Sequence, residues 1–80
     1  MNAPTDRSLR WRCRRGMLEL DILLERFLDR RYAALEPEER ELFHQLLDQE
    51  DDVLWDWLSG KIEPEEQGIA QLVQQIRSTR

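Results

Sequence analysis

The sequence predicts an all-α fold, a small compact bundle of five helices, and three observations carry that expectation. Apolar residues return every three or four positions along most of the chain, helix-start and helix-stop signals punctuate those runs, and no segment alternates like a strand between hairpin turns. Eighty residues, 36% charged and 40% hydrophobic, make one domain with a thin core, too short for a barrel or a doubly wound sheet. No apolar run approaches the roughly 20 residues of a membrane span.

Residues 1–6 lack periodicity and are expected to form a loose, flexible tail ahead of a helical domain over 7–80. Ser8 is positioned to cap a short helix through Arg15, although its apolar members Leu9, Trp11 and Cys13 alternate rather than follow helical spacing. After Gly16, a helix is expected from Met17 to about Ala34. Leu20, Leu24, Phe27 and Leu28 line one face of it, Ile22 and Leu23 widen that face, and Met17 and Leu18 extend it toward Gly16. The run EPEE at Glu36–Glu39 starts the next helix, because proline suits the first helical position and acids match the helix dipole. Leu42, Phe43, Leu46 and Leu47 are its apolar face. Asp51 and Asp52 open a short helix with Val53, Leu54, Trp57 and Leu58, stopped by Ser59-Gly60. A second EPEE at Glu63–Glu66 reads as the same start signal before Ile69, Leu72, Val73 and Ile76. Trp55 and Trp57 lie two apart and so point to different sides, one expected in the core and one exposed.

Charge is unevenly spread. The net −5 divides into five arginines against Asp6 alone in residues 1–16, and seven basic against sixteen acidic side chains in residues 17–80. An acidic body argues against wide binding of nucleic acid, which needs many phosphate-neutralising cations. The basic end still suits an acidic partner or an anionic group. A single cysteine, Cys13, and a single histidine, His44, exclude an internal disulfide and a zinc-type ligand set. A reducing compartment fits, and the cytosol is expected.

Candidate chemistry is sparse. His44 reads as a helix-flank histidine, and Cys13 as a small buried hydrophobe unless the charges of Arg12, Arg14 and Arg15 face it. The acids Asp48, Glu50, Asp51 and Asp52 lack calcium-loop spacing and read as a solvated, helix-starting run. The segment from Trp11 to Asp21 is different: it gathers cations, an aromatic, a glycine and two acids around a helix start. Gly16 permits backbone geometry closed to other residues, and Arg15 offers a planar five-donor fork. The bland account of Arg15 and Glu19 is an i,i+4 ion pair contributing about 0.3–0.5 kcal/mol.

Arg15-Gly16-Met17-Leu18-Glu19 resembles the RGxxE motif of the succinate dehydrogenase assembly factor 2 family, the flavinylation factors of bacteria and mitochondria. The likeness extends as WxCRRGMxELD over Trp11–Asp21 and as FxxLLDxxDxxLWxWLxG from Phe43 to Gly60, within about residues 9–77. The resemblance implies a five-helix chaperone, not an enzyme, that binds the flavoprotein subunit of succinate dehydrogenase, and of fumarate reductase in bacteria. It would promote covalent attachment of FAD to a histidine of that partner, holding no FAD stably itself. Carried over by position, Arg15, Gly16 and Glu19 form the partner-binding patch, with Arg14 and Asp21 as flanking contacts. Leu18 stands where a polar or basic residue would also suit the motif, which alters the rim of the contact. A monomer is expected, with no membrane insertion. The alternative is a nucleic-acid module using the arginine segment as an arm, and a lesser one is a thiol enzyme built on Cys13.

Overall fold

The computed structural model describes residues 3–79, with side chains from Ser8 onward. Its helices are α1 (Ala3–Arg12), α2 (Leu18–Arg30), α3 (Pro37–Leu47), α4 (Asp51–Leu58) and α5 (Gln67–Ser78), with a 3-10 turn at Tyr32–Ala34 between α2 and α3. The fold is all-α, as the periodicity predicts. α3 packs along α5, α4 also lies on α5, and α2 closes the core against α4 and α5.

The N-terminal helix corrects two expectations. It begins at Ala3 and ends at Arg12, so most of the expected tail is helical and the helix stops short of Arg15. Arg10 and Arg12 stand in its last turn, where basic side chains suit the helix dipole. Leu9 and Cys13 share one face four residues apart and are buried in the core, whereas Trp11 points outward at 72% exposure.

α2 buries Leu20, Leu24, Phe27 and Leu28, as its pattern predicts. It ends at Arg30 rather than Ala34, because the chain tightens into the 3-10 turn that carries Tyr32 into the core. Leu18 and Ile22 do not extend the buried face: they are exposed. Phe43 of α3 meets both Phe27 and Tyr32, with ring centroids 5.3 and 5.6 Å away.

The two EPEE runs behave differently. Glu36 caps α3 in a reciprocal box with Glu39, and Pro37 takes the first helical position. In the second run Pro64 is buried and lies ahead of α5, which starts only at Gln67. α4 ends as its Ser-Gly predicts: Gly60 at φ +87 lets Gly60 N–H reach Trp57 O (3.2 Å) and Lys61 N–H reach Asp56 O (2.9 Å). Trp55 and Trp57 are both half-buried against the core, so neither is the exposed one. Gly68 lets α5 approach α3, since a β-carbon there would stand 2.9 Å from Leu42 Cδ1.

Candidate functional site

Residues Cys13–Met17 turn the chain from α1 into α2, and the turn needs Gly16, whose φ of +91 costs an L side chain roughly 1–2 kcal/mol. Among the described residues nothing lies within 4 Å of the position a β-carbon would take, so a partner's backbone can approach this glycine. Asp21 fixes the turn from the first turns of α2, its Oδ1 accepting the Arg15 backbone N–H at 2.6 Å.

Arg15 does not present its fork to solvent. Nε donates to Asp51 Oδ1 (2.8 Å), Nη1 to Leu47 O (2.9 Å) and Arg12 O (3.1 Å), and Nη2 to Gln49 O (2.6 Å). The side chain is 15% exposed, and the expected pairing with Glu19 is replaced by the one with Asp51. The i,i+4 argument fails because α2 starts at Leu18 and Arg15 is not in the helix. Arg12 runs alongside, donating to His44 O (3.3 Å), His44 Nδ1 (3.2 Å) and Asp48 Oδ1 (2.5 Å). The last four carbonyls of α3 have no partner inside the helix. His44 O and Leu47 O receive the two arginines, while Gln45 O and Leu46 O receive the N–H groups of Asp48 and Gln49. The motif arginine is thus a cap for α3 and a clasp on the 48–51 segment.

The exposed members of the segment Trp11–Asp21 are Trp11, Arg14, Gly16, Leu18 and Glu19. Arg14 lies over the Trp11 ring at 5.9 Å. Leu18 (70% exposed), Glu19 and Ile22 share the outer face of α2 by their three- and four-residue spacing. Of the five expected contact residues, Arg14, Gly16 and Glu19 therefore stand on the surface, while Arg15 and Asp21 are half-buried and shape the turn. Trp11, Leu18 and Ile22, expected among the apolar members of their helices, are exposed instead.

Cys13 is fully buried, and burial pushes its thiol up to about 12, with Glu25 adding to the rise and Arg10, Arg15 and Arg12 opposing it too weakly to prevail. Such a thiol is neither a nucleophile nor a ready metal ligand. Because an arginine cannot accept, Arg12 against His44 Nδ1 leaves the proton on Nε2, which donates to Tyr32 Oη at 3.3 Å. Among the described residues no group of acids, cysteine or histidine is arranged to hold a metal ion.

A family model described as "Flavinator of succinate dehydrogenase" matches residues 7–80. The chain belongs to that family. It is similar to the FAD assembly factor SdhE of Coxiella burnetii (strain RSA 493 / Nine Mile phase I), with 49% identity over 78 residues, 96% of this chain and 95% of the relative. The corresponding protein of Xylella fastidiosa (strain 9a5c) is 44% identical over 79 residues, 98% and 81% of the two chains. That of Idiomarina loihiensis is 42% identical over 67 residues, 84% and 74%. In this family member the Arg15–Glu19 motif divides by role: the arginine is held inside, and the glycine and glutamate are held out.

Proposed function

We propose that the chain is an FAD assembly factor, a chaperone that binds the flavoprotein subunit of succinate dehydrogenase, and of fumarate reductase in bacteria, and promotes covalent FAD attachment to it. The names of its relatives support this reading. The observation that carries it is the corner at Gly16, where Arg14, Leu18 and Glu19 are exposed on a turn made rigid from behind by Arg15 and Asp21. A patch held in one geometry before contact loses little freedom on binding.

On this reading the chemistry belongs to the flavin and to a histidine of the client, and FAD is the client's cargo. The buried, protonated Cys13 and the tethered His44 favour a role in binding over one in bond-making. Glu19 and Arg14 grip polar groups of the client while Gly16 lets the two backbones close, so binding energy holds the client's mobile parts in a reactive arrangement. The factor works as a monomer in the bacterial cytoplasm.

The test is in-gel flavin fluorescence of denatured apo-flavoprotein after incubation with FAD, with and without the protein. Covalent flavin is expected to rise with the protein and to fall back with Glu19→Ala, whose circular dichroism stays that of the unaltered chain. Equal covalent flavin with and without the protein, from a properly folded client, overturns the reading.

A further inference from the structure

A groove of about 420 Å³ opens between the end of α3, α4, the 59–66 segment and the start of α5, and the flavinylation motif does not use it. Its lining includes Trp57, Leu46, Pro64 and Ile69, an apolar floor. Ile62 stands at its edge, 50% exposed, where a large aliphatic side chain loses contact with the core. The side chain is not on a loose loop: the N–H groups of Lys61 and Ile62 both bond Asp56 O, at 2.9 and 3.0 Å, behind the left-handed Gly60. Glu63, Glu65 and Glu66 also line the groove, exposed, and among the described residues none of them forms an ion pair.

Apolar floor and anionic rim together define the occupant. An anion such as a nucleotide or pyrophosphate is repelled by three carboxylates, whereas a peptide segment with an apolar side chain flanked by Lys or Arg satisfies both features. A second copy of this chain is disfavoured as the occupant because each copy carries −5, so two of them repel. The groove also adjoins the motif through one residue: Gln49 lines it and gives its carbonyl to Arg15 Nη2. We propose that the groove is a second docking surface for the flavoprotein client, taking a segment of that protein in which an apolar side chain is flanked by basic residues. This rests on the flavinylation reading above.

The experiment measures binding of the apo-flavoprotein subunit of succinate dehydrogenase to the full chain at low and at high salt, with covalent flavin yield scored in parallel. Glu63→Gln, Glu65→Gln and Glu66→Gln together are expected to weaken Kd about tenfold at low salt and to flatten its salt dependence. Ile62→Ser is expected to weaken it about fivefold at both salts, since it removes apolar contact rather than charge. These positions are exposed, and circular dichroism should show the helices intact. Unchanged Kd in both variants, with Glu19→Ala still lowering flavin yield, overturns the groove and leaves the function standing. Neither binding nor added flavin with the unaltered protein overturns the function and the groove with it. A self-associated species in sedimentation that Ile62→Ser dissolves assigns the groove to a second copy and overturns the client.

Discussion

Gly16, Arg14 and Arg15 are neighbours with three different duties, and single substitutions should separate them. At Gly16 a methyl group meets no neighbour among the described residues, so Gly16→Ala is strained only by its φ of +91, at a cost of roughly 1–2 kcal/mol. Its melting temperature should drop by about 4–8 °C per kcal/mol, while covalent flavin yield falls further than that stability loss explains. Arg14 is exposed over the Trp11 ring, so Arg14→Ala should leave stability within about 0.5 kcal/mol yet weaken client binding. Cys13 offers a pH test. Its folded thiol sits at about 12 against an ordinary 9.0. The folded state therefore binds that proton more tightly, and this contribution is fully present below 9.0 and lost as pH rises through about 12. Urea unfolding across that alkaline range should show stability falling with pH, and Cys13→Ala should flatten the slope.

At the scale of elements, the C-terminal end of α3 depends on side chains from the opposite end of the chain. Arg15 reaches Leu47 O, Gln49 O and Asp51 across 32 to 36 residues of sequence. Arg15→Lys keeps the charge but replaces a fork by a point, and cannot serve all three acceptors at once. It should cost about 1–3 kcal/mol in chemical denaturation, because carbonyls at a half-buried helix end lose their donors. Amide exchange at Gln49–Asp52 should quicken more than in α5. The element boundaries tell the same story. Leu20, Leu24, Phe27 and Leu28 were legible as the buried face of α2, since spacing alone puts them on one side. That Leu18 and Ile22 lie outside the core was not, because nothing local says where the neighbouring helices end.

For the whole molecule, the charge asymmetry is resolved largely within the fold. Arg10, Arg12 and Arg15 pair with Asp29, Asp48 and Asp51, so the basic segment is fastened to the acidic body. The exposed pairs among these contribute little singly, but they occupy cations that a nucleic-acid arm would need free. The chain is therefore expected to pass through a heparin column at low salt. Retention with steep salt dependence would favour the nucleic-acid alternative instead. Charge arithmetic pointed the basic segment toward an acidic partner; that its arginines meet the chain's own acids was not legible, because those partners lie 19 to 36 residues apart.

The sequence by itself determined the all-α class, the helices after Gly16 to within a few residues, and the family. The class and the helices rest on periodicity and terminal preferences, and the family on the likeness of short motifs, all local in the chain. Only the tertiary structure decided that Arg15 faces inward while Glu19 faces outward, that Trp11 is exposed, and that Pro64 is buried ahead of α5 instead of starting it. It also brought Ile62 and three glutamates beside Trp57 in one groove. Each of these turns on which surfaces the packed helices cover, a competition among side chains distant in sequence that no local pattern records.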